Sequence, residues 1–100
     1  MNILKIVNGR VEIRKDNGSV IRTIGNGDCI AADFNNDQSL ILITTKSGRV
    51  EIIKENGTIV RSFGNCDAIN AKWQGADISI STSRGRTELR NVNGSIIRTF

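Results

Sequence analysis

Apolar residues along the chain stand at alternate positions or in short runs of β-branched residues, and no stretch keeps the 3.6-residue period of a helix. Clusters of glycine and asparagine separate these segments, and the chain contains no proline. Such clusters are typical of the tight turns that join antiparallel strands. The pattern therefore predicts an all-β protein built from short strands.

Two phrases of sequence recur along the chain. GRVEI at residues 9–13 returns at 48–52 and, as GRTEL, at 85–89. Each copy is followed by a segment that begins with Asn-Gly, at residues 17–24, 56–63 and 93–100. Residues 9–32 and 48–71 are identical at 14 of 24 positions. The chain is therefore a tandem repeat, with a spacing of 39 residues (9 to 48) and then 37 (48 to 85).

One complete repeat predicts four strands, at residues 29–34, 40–45, 49–54 and 59–63. The segments between them, 35–38, 46–48, 55–58 and 64–67, are rich in residues that tolerate a positive φ. This is the pattern of a four-stranded antiparallel meander. Its second strand is apolar on both faces from Leu40 to Ile43, which predicts a sheet covered on both sides.

A meander of this length, repeated in tandem, resembles one blade of a β-propeller, nearest in length and pattern to the WD-repeat type. Where a WD-repeat blade has Gly-His before its inner strand, this chain has Gly-Asn at 25–26 and 64–65. Where such a blade ends its third strand with Trp-Asp, this chain has Lys-Asp at 15–16 and Lys-Glu at 54–55. The resemblance implies stacked sheets arranged around a central channel.

Counting strands predicts an assembly. Residues 1–100 form one repeat domain of eleven strands, in which 29–63 and 68–100 are full blades. Residues 1–24 supply only a second (3–7), a third (10–14) and an outer strand (20–24) and lack an inner one. A propeller closes with roughly four to eight blades, and an open stack is expected to expose two apolar sheet faces. We therefore expect a closed homo-oligomer: a homodimer with six blades is favoured, and a homotrimer is the alternative.

Composition argues against an enzyme. The chain has no histidine, so the usual acid/base group at neutral pH is missing, together with imidazole triads and His-ligated metal sites. Cys29 and Cys66 have no C-x-x-C spacing and no base nearby in sequence, and they are expected to be free thiols. A reducing interior is mildly favoured on that ground, and no cofactor is predicted.

Neither a membrane span nor a secretory signal is predicted. No apolar run approaches the roughly 18 residues that a spanning helix needs. The apolar start of the chain is short and is interrupted by Lys5.

Acidic and basic residues recur once in each repeat: Glu12, Glu51 and Glu88 in the third strand, and Arg22, Arg61 and Arg98 in the outer strand. A three-residue loop such as 16–18 would set Glu12 opposite Arg22, whereas a two-residue loop would set Ile13 there. The charge pairing favours the longer loop. We interpret these residues as structural cross-strand pairs.

The candidate ligand-binding residues are arginines at the joint between second and third strands: Arg10, Arg49 and Arg86, joined by Arg84. With a net charge of +4, a ring of such residues would attract nucleic acid or anionic glycans. The alternative is that they are solvated or salt-bridged residues that end a strand. No series of aromatic residues accompanies them, which argues against stacking on single-stranded bases.

A metal site is not predicted. Asp33, Asn35 and Asp37 have the alternate spacing of the first ligands in a calcium loop, but the later ligand positions hold Ile41 and Thr44. An ordinary Asn/Asp turn is expected instead. Trp73 is expected to anchor the core rather than to form a platform for a sugar.

The sequence as a whole predicts a non-enzymatic binding or scaffold module that recognises partners through rim loops and a central channel. A lectin-like propeller, with an Asn/Asp/Trp loop for a sugar in each blade, is the alternative. An enzyme with Asp28, Asp67 or the arginines at the channel mouth is a further one. If burial between blades holds the molecule together, Val50→Asp abolishes assembly and solubility together.

Overall fold

Eleven β-strands form three antiparallel sheets in the computed structural model, which describes residues 1–100. Each strand pairs with its neighbours in sequence, so every sheet is a meander. The first sheet contains β1 (Ile3–Val7), β2 (Arg10–Arg14) and β3 (Val20–Ile24). The middle sheet contains β4 (Cys29–Phe34), β5 (Leu40–Thr45), β6 (Val50–Lys54) and β7 (Ile59–Phe63). The third contains β8 (Ala68–Gln74), β9 (Asp77–Thr82), β10 (Thr87–Arg90) and β11 (Ile96–Thr99).

The prediction of eleven strands is confirmed, and the predicted strands of the complete repeat agree with β4 to β7 except that β6 begins at Val50 rather than at 49. In the first sheet, β1 is an edge strand with no partner on the side away from β2. No helix in the structure is long and apolar enough to cross a membrane.

The loop between β2 and β3 has the predicted three residues, 16–18. Lys15 N donates to Ser19 O at 2.9 Å, Gly18 N donates to Lys15 O at 2.9 Å, and Gly18 has a φ of +92°. This is a type I turn closed by a glycine in the left-handed region. The same geometry closes the third-to-outer loops of the other two sheets, at Gly57 and Gly94.

The predicted pairing of Glu12 with Arg22 is nevertheless wrong. A bulge shifts the register between Ile13 and Arg14, so that Arg22 lies opposite Ile13, and Glu12 lies opposite Thr23. The shift recurs in the other sheets, where Glu51 faces Ser62 and Glu88 faces Thr99, so Arg61 and Arg98 lie opposite Ile52 and Leu89. The extra residue of each bulge changes the face to which the rest of the outer strand points.

The core lies between the sheets, in two clusters. One cluster joins the first and middle sheets: Val11, Ile13, Ile24, Cys29, Ile41, Ile43 and Ile53. The other joins the middle and third sheets: Leu42, Val50, Ile52, Phe63, Ala68, Ala71, Ile78 and Ile80. The middle sheet is therefore buried on both faces, as predicted from the apolar run of β5. Each fully buried aliphatic side chain contributes about 1.5–3 kcal/mol.

The expectation that the two outward faces of the stack are apolar is wrong. The outward face of the first sheet carries mainly charged residues among its paired positions: Ile3, Lys5, Val7, Arg10, Glu12 and Arg14. The outward face of the third sheet carries mainly hydroxyl and amide residues: Asn70, Lys72, Ser79, Ser81, Thr87 and Leu89. Because most apolar residues of β1, β2, β8, β9 and β10 point toward the middle sheet, hydrophobic exposure alone does not force the chain to assemble.

Backbone hydrogen bonds fasten each sheet to the next at one edge. Cys29 N donates to Gly9 O at 2.8 Å, and Ala68 N donates to Gly48 O at 3.1 Å. Both glycines have a positive φ, and a Cβ on either would collide with the backbone that leads into the following sheet. Glycine is required here because the chain approaches itself so closely.

Candidate functional site

The four candidate arginines lie at one edge of the three sheets, which we call the arginine edge. It carries the turns between second and third strands, at residues 8–9, 46–49 and 83–86. Arg10 begins β2 and is exposed. Arg49 is half-buried just before β6, and its Nη2 donates to Ser62 Oγ at 3.4 Å. Arg84 and Arg86 are exposed in the turn between β9 and β10.

A threonine at the end of the preceding strand fixes the backbone of two of these arginines. Arg86 N donates to Thr82 Oγ1 at 3.2 Å, and that hydroxyl donates to Arg86 O at 3.2 Å. Thr45 makes the same pair of bonds to Arg49, at 3.2 and 3.3 Å. Neither threonine is predicted above as a functional residue, although both stand four residues before an arginine of the repeat. The threonines hold the two turns in similar conformations.

Arg84 and Arg86 line a hollow of about 560 Å³, which is formed by the third sheet and the segment that joins it to the middle sheet. No hydrophobic residue lines it, and the remaining walls are Asn65, Asp67, Thr82, Glu88 and Thr99. Hydroxyl and amide groups around two guanidinium groups are suited to bind an anion through charge-assisted hydrogen bonds.

Of the two carboxylates that line this hollow, Glu88 is neutralised by Arg90, whereas Asp67 makes no salt bridge. Glu88 Oε1 accepts from Arg90 Nε at 2.9 Å and from Arg90 Nη2 at 2.8 Å, and Asn65 Nδ2 donates to Glu88 Oε2 at 3.5 Å. Both members of the ion pair are buried. Since the two salt bridges of the chain are Arg90–Glu88 and Arg14–Glu12, Arg84 and Arg86 have no carboxylate partner of their own.

A second hollow, of about 300 Å³, lies at the opposite edge, between the middle and third sheets. It is lined by Asn35, Asn36, Asp37, Leu40, Trp73, Gly75, Ala76 and Val92. Trp73 also packs against the core, as expected, and its Nε1 donates to Asp33 O at 3.2 Å. The indole therefore combines a core contact with a place on the wall of a hollow.

The side chains of the supposed calcium loop hold the backbone. Asp33 Oδ2 accepts from Trp73 N at 2.9 Å, and Asn35 Oδ1 accepts from Leu40 N at 3.0 Å. Asp37 accepts from the hydroxyl and the backbone N of Ser39, and these hydrogen bonds lower the pKa of its carboxyl. The structure contains no cluster of three or more His, Cys, Asp or Glu side chains that could hold a metal ion.

The two cysteines are free thiols in different surroundings. Cys29 is buried, and burial raises the pKa of its thiol to about 11, so it is protonated at neutral pH. Its Sγ donates to Ala31 O at 3.2 Å. Cys66 is exposed, in the segment between β7 and β8.

The fold is similar to solved β-propellers. A chain of the mitotic checkpoint complex matches 99% of this chain with a TM-score of 0.83 and 18% identity. The Pan2 WD40 domain of Neurospora crassa matches 99% with a TM-score of 0.78 and 18% identity. The Cps50 (Swd1) β-propeller domain of Myceliophteria thermophila matches 99% with a TM-score of 0.71 and 12% identity.

The three sheets have the fold of β-propeller blades. They are called blades 1, 2 and 3 below, in chain order. The chain spans about a third of the length of the solved chains it matches, 33%, 32% and 32% in the same order. At this level of identity the likeness shows the fold alone. No protein-family model matches the chain. No curated protein sequence matches it either.

Proposed function

We propose that the chain is a non-enzymatic binding module. Several copies assemble into a closed propeller, and the arginine edge binds anionic partners. Propellers close with roughly four to eight blades, and the chain has three, the first without an inner strand. Two copies would supply six blades, so a homodimer is the favoured arrangement and a homotrimer is the alternative.

The observation that carries anion binding is the pairing state of Arg84 and Arg86. Both guanidinium groups are exposed and form no salt bridge beside a polar hollow, in which Arg90 neutralises Glu88 and Asp67 is the one remaining carboxylate. The net charge of +4 adds a long-range attraction to polyanions. In a closed ring, Arg10 and Arg49 would extend the same cationic surface around the rim.

The non-enzymatic part of the proposal rests on the side chains present. The chain has no histidine, and burial keeps Cys29 protonated. Asp28 and Asp67 lie in two different junctions between blades, where their carbonyl oxygens accept from Lys46 N and Ser83 N. Neither carboxylate is paired with a base or a nucleophile that it could activate.

Salt-dependent binding of a duplex DNA oligonucleotide, used as a polyanion probe, tests the arginine edge. Replacing both Arg84 and Arg86 by Ser weakens binding and lowers the slope of log affinity against log salt by about one for each arginine removed. The matched control replaces the exposed Arg61 and Arg98 of the outer strands by Ser, which changes the net charge equally. Equal losses from both double variants would show that net charge alone attracts the probe.

Sedimentation equilibrium tests completion of the ring. At micromolar concentration the expected mass is twice that of one chain, or three times for the alternative ring. A single-chain mass throughout the concentration range would exclude self-assembly and leave anion binding to be judged by the DNA titration.

A carbohydrate site is the second candidate, and the hollow beside Trp73 favours it. An indole next to the amide and carboxylate groups of Asn35, Asn36 and Asp37 has the chemistry that sugars bind. Trp73 is the single tryptophan of the chain, so its fluorescence reports directly on this hollow. Millimolar titration with monosaccharides changes that fluorescence if the site binds sugar, and Asn36→Ala then weakens the response. An unchanged spectrum would exclude this candidate.

A further inference from the structure

The junctions between blades follow one packing arrangement. The residue at the end of each outer strand packs on the glycine in the third-to-outer loop of the next blade. Ile24 Cγ2 lies 3.5 Å from the position of a Cβ on Gly57. The ring of Phe63 lies 3.1 Å from the position that a Cβ on Gly94 would occupy. In both cases the glycine lets the neighbouring side chain lie directly on the turn.

The third strand of the next blade supplies a matching residue at each junction. Ile53 shares a buried cluster with Ile24 at the first junction. At the second junction the guanidinium carbon of Arg90 lies 5.6 Å from the centroid of the Phe63 ring. Arg90 and Ile53 occupy equivalent positions, two residues after the glutamate of the repeat. Isoleucine therefore packs with isoleucine at the first junction, and phenylalanine packs with arginine at the second.

The two terminal blades carry the same residue types as the second junction: an outer-strand phenylalanine on blade 3 and an arginine on blade 1. Neither side chain is covered by a neighbouring blade. Phe100 lies at the end of the outer strand of blade 3, as Phe63 does in blade 2, and it is 70% exposed. Its backbone is ordered by two hydrogen bonds to Thr87, at 2.7 and 2.9 Å. The outward face of blade 1 carries Arg14, two residues after Glu12.

The Glu12–Arg14 pair reproduces the geometry of Glu88–Arg90. Arg14 Nη2 lies 2.6 Å from Glu12 Oε1, and Arg14 Nη1 donates to Gly18 O at 2.6 Å, as Arg90 Nη1 donates to Gly94 O at 2.8 Å. Gly18 has no heavy atom within 4 Å of a Cβ position. The Arg14 side chain is 29% exposed, against 7% for Arg90, so the position that a Phe63-like ring would cover is open.

We propose that Phe100 of one copy packs on Gly18 and beneath Arg14 of a second copy, as Phe63 packs on Gly94 and beneath Arg90 within the chain. The proposal rests on the self-assembly proposed above and names the contact that specifies it. The contact is heterologous, joining the tail of one copy to the head of the next, so two such contacts close a two-copy ring.

A second copy is the occupant because it presents the required ring at the required place. Phe100 stands on a blade whose outer strand and third strand pair as those of blade 2 do, with Thr87 opposite Phe100 as Val50 is opposite Phe63. The charge arrangement agrees as well. The guanidinium group of Arg90 lies over the Phe63 ring, and a hydrogen bond to Glu88 holds it in position. Glu12 holds the guanidinium group of Arg14 in the same way.

Exchange of the pairing type tests the contact. Phe100→Ile or Arg14→Ile alone should raise the dissociation constant of the assembly about tenfold, because each breaks a cation–aromatic pair. The double variant should recover most of the affinity, because it recreates the Ile24–Ile53 type of junction. Arg61→Ile, which removes an exposed outer-strand arginine of blade 2, and Ile97→Ser, at an exposed position of β11, are the controls and should leave the constant unchanged.

Charge variants test the head-to-tail direction. Phe100→Arg places a second guanidinium group against Arg14, and Arg14→Asp places a carboxylate beside Glu12 and against the Phe100 ring, so each variant alone should be monomeric. An equimolar mixture should form 1:1 pairs, because one junction remains intact and the other brings opposite charges together. Circular dichroism and thermal unfolding establish that each variant is folded.

The outcomes separate this contact from self-assembly itself. If the unmodified chain is monomeric at every concentration, the proposed assembly is wrong. If it assembles but neither single substitution weakens it, assembly stands and the Phe100–Arg14 contact is wrong. If both single substitutions weaken the assembly and the double variant recovers none of the lost affinity, the proposed pairing by residue type is wrong.

Discussion

Equivalent glycines in the three blades differ in what lies above them. Gly18, Gly57 and Gly94 all have a φ near +90° in the same type of loop. Phe63 covers Gly94 and Ile24 covers Gly57, whereas Gly18 is open. Backbone conformation alone requires glycine at all three positions, but close packing adds a second requirement at two of them.

Alanine substitutions separate these two requirements. Gly94→Ala should destabilise the chain by about 1 kcal/mol for the positive φ and a further 1–3 kcal/mol for overpacking against Phe63. Gly18→Ala is the matched control, and in a monomer it should lower the free energy of unfolding only by the amount due to the positive φ. Urea unfolding measures both. Equal losses would show that Phe63 moves aside without cost.

Glu51 and Glu12 are equivalent residues with opposite expected effects on stability. Burial, and then the charge of Asp28, raise the pKa of Glu51. A raised pKa favours folding in acid, below the ordinary value of 4.5, and this contribution is lost as the pH rises through the folded-state value. Glu51→Gln should therefore raise the free energy of unfolding at pH 7, and the gain should disappear in acid.

Glu12→Gln is the comparison for that substitution. It removes the acceptor of the ion pair with Arg14, so it should lower the free energy of unfolding at pH 7 by up to about 1 kcal/mol. Denaturant unfolding at a series of pH values distinguishes the two. A loss of stability from Glu51→Gln at neutral pH would contradict the burial argument.

At the scale of the elements, each blade is defined by which strand faces are covered. β5 and β6 lie at the centre of the middle blade and are packed on both sides. The corresponding strands of blades 1 and 3 are packed on one side and carry polar residues on the other. Equivalent third-strand positions of the three repeats therefore have different environments, although the repeats are similar in sequence.

Val50 and Thr87 occupy equivalent positions in blades 2 and 3 and test this difference. Val50 is fully buried in the cluster between blades 2 and 3, so Val50→Asp should unfold the chain, because an unpaired carboxylate cannot be accommodated there. Thr87→Asp, on the outward face, should leave a single chain folded. Thermal unfolding followed by circular dichroism measures both. A folded, monomeric Val50→Asp chain would show that burial between blades does not hold the fold.

At the scale of the whole molecule, stability should fall from the middle blade outward. Burial on both faces is confined to blade 2, and the outer strands β3, β7 and β11 and the first strand β1 are sheet edges. Amide groups in strands packed on both faces open only when most of the core opens with them.

Hydrogen exchange measures this gradient. Amides of β5 and β6 should exchange slowest, and those of β1 and β11 fastest, at concentrations where the chain is a monomer. When assembly is induced by raising the concentration, added protection should appear around the loop at 15–19 and at residues 96–100. Protection confined to other surfaces would contradict the proposed junction.

The strands and turns could be predicted from the sequence because their signals are local. Alternating apolar residues and Asn-Gly joints located eleven strands, and the apolar run of β5 predicted a sheet covered on both sides. The four candidate arginines could be placed at one edge for the same reason, since a meander sends every second turn to the same side.

What the sequence did not reveal depends on how strands and sheets meet. One bulge in each outer strand moved Arg22, Arg61 and Arg98 away from the glutamates, and a bulge has no clear sequence signal of its own. The polar outward faces and the hollow beside Arg84 and Arg86 arise where residues distant in sequence come together. Repetition by itself determined the blades, because each is built from contacts between neighbouring strands. Only the tertiary structure decided which face of each blade is covered, because that depends on what packs against it.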